Sequence, residues 1–156
     1  MKILVAYYSR TGTTKQVAAE LAAQLDADVE EIIDTKNRKG IWGYLSGGRD
    51  ASRKQTTVIG PLQKDPAGYD LVALATPVWA WTVTPAMRAY IAQTKGKLKK
   101  AAFLCTMGGS GDVKTFAAME ELSGLKPVAT LSFRTVEVKK GEYAQRLKDF
   151  AAALAK

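Results

Sequence analysis

The nonapeptide YYSRTGTTK (residues 7–15) is the most informative stretch of the 156-residue sequence. It overlaps the apolar run Lys2–Tyr8, typical of a buried parallel strand, and leads into Thr14–Leu25, whose apolar residues recur every fourth position as in an amphipathic helix. Four hydroxyl residues and Gly12 lie within the six positions Ser9–Thr14. Because a helix start offers unpaired N–H groups and partial positive charge, the stretch predicts a phosphate-binding turn. A helix cap is the simpler alternative, but it needs only one or two hydroxyl residues.

The rest of the chain continues the alternation of strands and helices that is typical of an α/β fold. Further strands are predicted at Val29–Ile33, Asp70–Thr76, Ala101–Thr106 and Val128–Val138, the last kinked or split near Arg134. Further helices are predicted at Thr84–Ala92, Val113–Leu122 and residues 143–154. The segment Thr35–Thr57 is irregular, but it lies where a crossover must run, so part of it is predicted to be helical. We expect one domain over residues 1–156.

Two further loops carry residues suited to a planar ligand. Thr76–Thr82 contains Trp79 and Trp81, which we expect either to cover an apolar planar group or to pack into the core. Thr106–Gly111 contains three glycines, which would let backbone N–H groups reach a ring edge, although a bare turn is the alternative. These loops and the phosphate-binding turn meet only if the strand order reverses between the first and third strands. That reversal is the switch point of a doubly wound sheet in the order 2-1-3-4-5.

The composition excludes several classes of catalytic site. The chain has no histidine and one cysteine, Cys105, so Ser-His-Asp triads, Cys-His pairs and multi-cysteine metal sites are ruled out. A bound cofactor would then supply any redox chemistry. Cys105 ends a predicted strand, and we expect it to be a small buried apolar residue rather than a redox thiol. The spacings of the nucleotide P-loop and of the dinucleotide fingerprint are both missing.

The chain is strongly basic, with 23 Lys and Arg against 15 Asp and Glu and a net charge of +8. Such a charge attracts anions or acidic partners, or serves solubility alone. Six cations and one acid, Asp50, lie in segment 36–54; the cations are Lys36, Arg38, Lys39, Arg49, Arg53 and Lys54. No helix-turn-helix or RNA-binding motif is recognisable, so nucleic-acid binding is not expected. No apolar run approaches the roughly 18–20 residues of a membrane span, and no cleavage site follows the first strand. We therefore expect a cytoplasmic protein.

The sequence resembles the flavodoxin superfamily over nearly its whole length. The most specific part is Ser9-x-Thr11-Gly12-x-Thr14, which is similar to the T/S-x-T-G-x-T phosphate loop of those proteins. The stretches 43–51 and 76–79 resemble a short, basic bacterial branch of flavodoxin-like proteins. The resemblance implies a three-layer α/β sandwich, with a five-stranded parallel sheet in the order 2-1-3-4-5 and helices on both faces.

The resemblance also implies one FMN, bound without a covalent link. The residues implied to hold its phosphate are Ser9, Thr11, Gly12, Thr13 and Thr14. The residues implied to border its isoalloxazine ring are Thr76, Pro77, Val78, Trp79, Ala80, Trp81, Thr106, Met107, Gly108 and Gly109. No catalytic residue is predicted; Tyr8, Tyr44 and Asp112 are candidates by position alone. The sequence predicts no oligomeric state.

Two functions fit this resemblance. One is an FMN oxidoreductase that reduces quinone-like acceptors with electrons from NAD(P)H. The alternative is an electron carrier between protein partners. Carriers of the superfamily are typically strongly acidic, whereas this chain is basic, and the difference favours the reductase. The basic segment would then attract NAD(P)H phosphates or an acidic redox protein.

Overall fold

The computed structural model describes all residues from Met1 to Lys156. The strands are β1 (Ile3–Tyr7), β2 (Asp28–Glu31), β3 (Leu71–Trp79), β4 (Thr82–Val83), β5 (Ala101–Met107) and β6 (Thr130–Arg134). The helices are α1 (Thr13–Leu25), α2 (Gly40–Ser52), α3 (Pro85–Thr94), α4 (Asp112–Ser123), α5 (Thr135–Lys140) and α6 (Ala144–Leu154). None of these helices is both long and apolar enough to cross a membrane.

The five long strands form a parallel sheet in the order β2-β1-β3-β5-β6, which confirms the predicted order. The short strand β4 pairs antiparallel with the end of β3. Because the order reverses between β1 and β3, the carboxyl ends of β1, β3 and β5 lie side by side. Tyr7 pairs with Ala75 and Pro77 with Thr106, so the three loops that follow these strands share one edge of the sheet.

Helices cover both faces of the sheet, as predicted. Every residue of β1 is buried, because its side chains alternate between two apolar cores. Ile3, Val5 and Tyr7 pack with α1 and α6 on one face. Leu4 and Ala6 pack with α3 and α4 on the other face.

The predicted break of the fifth strand near Arg134 is present, but the strand assignment of the residues after it was wrong. The strand ends at Arg134, and the residues that follow form α5 instead of continuing as a strand to Val138. The backbone N–H of Arg134 donates to the Glu137 carboxylate at 2.6 Å, which closes the first turn of the helix. The helix buries Val138 and leaves Val136 exposed, so the β-branched pair misled the prediction.

Buried ion pairs hold α2 against the irregular segment before it. Asp50 accepts from Arg38 at 2.7 Å and from Lys36 at 2.8 Å, and Arg38 also donates to Asp34 at 3.1 Å. Burial alone would raise the pKa of Asp50, but the hydrogen bonds from Lys36 and Arg38 outweigh it and hold that pKa well below its usual range. The predicted helix within Thr35–Thr57 is thus present, and ion pairs fix its position.

Candidate functional site

The turn between β1 and α1 leaves the start of the helix open. Gly12 adopts a left-handed conformation with φ of 100°, and its N–H donates to Ser9 Oγ at 3.1 Å. Helix α1 begins at Thr13, and no side chain caps it. The first amides of the helix therefore have no intrahelical partner, and the positive end of the helix dipole lies at the turn. This arrangement is suited to binding an anion.

A cavity of about 220 Å³ opens at this turn. Its lining includes hydroxyl residues from three loops and one cation, Arg10, but no acidic residue. The lining residues are Ser9, Arg10, Thr11, Thr13, Thr14, Tyr44, Pro77, Val78, Trp79, Thr106, Met107, Gly108 and Thr135. The absence of carboxylates matters because a carboxylate would repel any phosphate.

A larger cavity of about 480 Å³ adjoins the first one. The two share Tyr44, Val78, Trp79 and Gly108, so they form one continuous cleft at the carboxyl edge of the sheet. The larger cavity is lined by Tyr44, Leu45, Gly48, Arg49, Val78, Trp79, Ala80, Trp81, Gly108, Gly109 and Ser110. Its size and its mainly apolar, aromatic lining are typical of sites for organic cofactors.

The cleft brings together most of the residues predicted for the site. Two of the fifteen, Gly12 and Thr76, line neither cavity. Gly12 lies in the turn that shapes the helix start. Thr76 is fully buried, and its hydroxyl shares a 3.0 Å hydrogen bond with that of Thr84. This bond ties together the two ends of the loop that carries Trp79 and Trp81. Thr14 is also buried; its hydroxyl lies 2.8 Å from that of Thr106 and links the first and third loops.

A tight hairpin between β3 and β4 places Trp81 at the cleft. Ala80 and Trp81 form its two-residue turn, with φ of 49° and 58°. Turns with two positive φ values favour Asn-Gly, and because Ala-Trp stands here instead, this hairpin could not be predicted from its residues. Trp81 is 61% exposed, and its indole N–H donates to Ser110 Oγ at 3.3 Å. This arrangement requires glycine at position 111, because a Cβ there would lie only 2.8 Å from a side-chain carbon of Val78.

Trp79 lies deeper than Trp81 and packs partly into the protein. Its ring meets the Tyr8 ring edge-on, with centroids 5.6 Å apart. A Cβ on Gly47 of α2 would lie 2.7 Å from the Trp79 ring, so this glycine makes room for the indole. Trp79 is thus partly packed into the protein and lines both cavities, whereas Trp81 borders only the larger one.

Comparisons with known proteins identify the architecture. A scan against protein-family models gave no match, and a search of curated protein sequences gave none either. Among solved structures, a flavoprotein from Lactobacillus acidophilus in complex with FMN matches with a TM-score of 0.75 and 22% identity, over 89% of this chain and 97% of that chain. Flavodoxin 2 from Bacillus cereus matches with a TM-score of 0.63 and 19% identity, over 99% and 98%. The chain has the flavodoxin-like fold.

Within this flavodoxin-like fold, the sequence-based set missed residues that line the cleft. They are Arg10, Tyr44, Leu45, Gly48, Arg49, Ser110 and Thr135. The guanidinium of Arg10 lies 5.5 Å from the centroid of the Tyr44 ring, so the first loop touches α2 across the mouth of the smaller cavity. The aromatic residues and the basic residues of the Gly-rich crossover were the signals in the sequence that α2 borders the site.

The candidate bases by position do not form a catalytic group. Tyr8 is buried, and burial raises its pKa to about 12, which makes it a poor base near neutral pH. Asp112 accepts a 2.7 Å hydrogen bond from Ser132 and lines neither cavity of the cleft. Tyr44 alone of the three borders the cleft.

Cys105 lies in the middle of the sheet and has no exposed surface, as expected for a buried apolar residue. Burial raises the pKa of its thiol to about 12. We therefore expect the native protein at pH 8 to react with a chromogenic disulfide reagent at a rate limited by unfolding. The same protein in denaturant should release one thiol equivalent at once. Rapid release from the native protein would contradict the buried position.

Proposed function

We propose that the chain binds one FMN without a covalent link and transfers electrons through it. The observation that carries the proposal is the uncapped start of α1, which lies in a cavity without carboxylates that is continuous with an aromatic-lined cavity. One ligand with an anionic end and a planar apolar end would fill both parts. The Lactobacillus flavoprotein with the same fold was solved in complex with FMN, which supports this choice.

The residues of the smaller cavity fit a phosphate. The amides at the start of α1 and the hydroxyls of Ser9, Thr11 and Thr13 would donate to its oxygens. Ser9 Oγ already accepts from Gly12, so its own hydroxyl hydrogen remains available. Thr14 would act mainly through its backbone, because its hydroxyl pairs with Thr106.

The residues of the larger cavity fit a planar ring. Val78, Ala80, Met107, Gly108 and Gly109 would border it, with Trp81 covering one side. When bound, FMN supplies one- and two-electron redox chemistry. The residues of the cleft would hold the ring in place, exclude water from part of it and present backbone donors to its edge. No side chain in the cleft is assigned a proton-transfer role.

For the activity, we propose reduction of quinone-like acceptors with electrons from NAD(P)H, in the cytoplasm. Arg49 lines the larger cavity, and four further exposed cations lie at 36, 39, 53 and 54, a distribution that would attract the phosphates of a nicotinamide cofactor. The second candidate is an electron carrier that docks an acidic redox protein on the same basic face. The exposed Trp81 at the open side of the larger cavity favours a small planar acceptor, which would approach the bound ring there.

A visible absorption spectrum tests the cofactor, and a turnover assay then tests the activity. The purified protein, or protein incubated with FMN and desalted, should show the two visible bands of bound flavin. It should then consume NADH or NADPH with a soluble quinone. A flavin-loaded protein that reacts with neither NADH nor NADPH would contradict the reductase activity and favour the electron carrier. A protein that does not retain flavin would refute the binding proposal.

Arg10 offers a test of how the cleft binds the phosphate. It takes part in none of the ion pairs of the structure, so its charge is available to an anion in the smaller cavity. We expect Arg10→Ala to weaken FMN binding by about tenfold, as for loss of one charge-assisted hydrogen bond. Riboflavin, which lacks the phosphate, should bind both proteins equally in fluorescence titrations. Equal losses for both ligands would instead assign Arg10 a role in positioning Tyr44.

A further inference from the structure

Helix α2 exposes apolar side chains on the side that faces away from the sheet. Trp42 is 83% exposed, more than any other large apolar residue of the chain, and Ile41 and Leu45 are 75% and 55% exposed. These three residues lie on one side of the helix and are called the α2 apolar face below. Trp42 and Ile41 line neither cavity of the cleft, so the proposed cofactor site does not account for them.

The surroundings of the α2 apolar face are basic. Lys39 precedes it, Arg49 lies in the last turns of the same helix, and Arg53 and Lys54 follow it; all four are exposed. The one acidic residue of the helix, Asp50, is buried and already paired with Arg38, Lys36 and Arg49. The exposed charges of segment 36–54 are therefore all positive, and Lys39, Arg53 and Lys54 have no ion-pair partner, which favours an anionic partner for the face.

We propose that the α2 apolar face docks the protein on the surface of an anionic lipid bilayer. Ile41 and Trp42 would insert among the headgroups, while the flanking cations contact lipid phosphates. Two features favour a bilayer over an acidic protein. Ile41 and Trp42 protrude largely exposed and line neither cavity of the cleft, and tryptophan is enriched at membrane interfaces.

Docking in this orientation would also bring the cleft to the membrane. Leu45 belongs to the α2 apolar face and also lines the larger cavity, so the mouth of that cavity lies beside the docked surface. An acceptor dissolved in the bilayer could then reach the cleft without crossing water. The docking itself is a property of α2 and its cations, and it does not depend on whether the cleft binds FMN.

Sedimentation with lipid vesicles tests the proposal on the full chain. We expect the protein to pellet with vesicles made of equal parts phosphatidylglycerol and phosphatidylcholine, and to remain in the supernatant with phosphatidylcholine alone. Added salt should release it, because the attraction to anionic headgroups is screened. Trp42→Glu should lower the bound fraction at limiting lipid by about tenfold. The double variant Lys39→Ser with Arg53→Ser should show a similar loss.

Val128→Glu is the matched control. Val128 is 52% exposed and precedes the edge strand β6. Its replacement by Glu introduces the same negative charge away from the α2 apolar face. Circular dichroism should show that all variants remain folded. Equal binding to neutral and anionic vesicles, or equal losses for Trp42→Glu and Val128→Glu, would overturn the proposal. A protein that ignores vesicles but forms dimers that Trp42→Glu dissolves would also overturn it, since the face would then join two copies.

Discussion

Replacing Thr11 by Asp is expected to weaken FMN binding by about a hundredfold or more. Thr11 is exposed and lines the smaller cavity, whose lining contains no carboxylate. Two like charges about 4 Å apart near a protein surface repel by roughly 4 kcal/mol, and solvent screening lowers this to about 3 kcal/mol for an exposed group. A loss of that size corresponds to about a hundredfold in the dissociation constant. Quenching of flavin fluorescence on titration with protein measures it directly.

Two controls separate charge from shape at this position. Thr11→Asn has nearly the same size as the Asp variant but no charge, and we expect it to cost less than tenfold. Riboflavin has no phosphate, so it should bind the Asp variant and the parent protein alike. If FMN affinity is unchanged in Thr11→Asp, the phosphate lies elsewhere. If riboflavin binding falls equally, the substitution has damaged the cavity and not repelled the phosphate.

The neighbouring Thr14 would be a poor choice for the same experiment. Its side chain is 1% exposed, and its hydroxyl lies 2.8 Å from that of Thr106. A carboxylate there would be buried without a compensating cation, which costs several kcal/mol of stability in its own right. Loss of binding would then report a disturbed fold. The sequence could not distinguish Thr11 from Thr14, because burial depends on what the third loop contributes.

The local signals in the sequence predicted the sheet and the first loop. The hydroxyl residues of 9–14 indicate an anion-binding turn through their own backbone and side chains, and the long apolar runs fix which segments are strands. These signals depend on residues close together in the sequence, and so the sequence was sufficient to predict them. The order of the strands came instead from the family resemblance and from the requirement that the three loops meet at a switch point.

The features that the sequence missed depend on distant residues. The β3–β4 turn places Ala80 and Trp81 at positive φ, and it is compatible with its neighbours only because Gly111 has no side chain. The α2 helix contributes four of the lining residues through its placement, which the ion pairs of Arg38 with Asp34 and Asp50 fix. One further feature was missed for a local reason: in α5, Val136 and Val138 favour a strand, but the Glu137 carboxylate bonded to the Arg134 amide three residues earlier closes a helical turn.

Of the Gly→Ala substitutions in α2, Gly43→Ala is expected to lower the free energy of unfolding the most. A Cβ at this position would lie 2.1 Å from the carbonyl carbon and oxygen of Arg38, both backbone atoms that cannot rotate away. The helix and the segment before it would have to separate, and the Arg38 ion pairs hold them together. We expect a loss of about 3 kcal/mol in the free energy of unfolding, at the upper end for overpacked sites. The melting temperature should fall by about 10 °C.

Gly48→Ala on the same helix is the matched control. A Cβ at Gly48 meets nothing within 4 Å, so the added methyl group should only improve helix propensity. We expect this variant to gain up to about 1 kcal/mol and to melt a few degrees higher than the parent. Thermal and urea unfolding followed by circular dichroism measure both variants. Since the two substitutions are chemically identical, the difference between them isolates the contact with Arg38. Equal stability of the two variants would show that α2 does not rest on the Arg38 backbone.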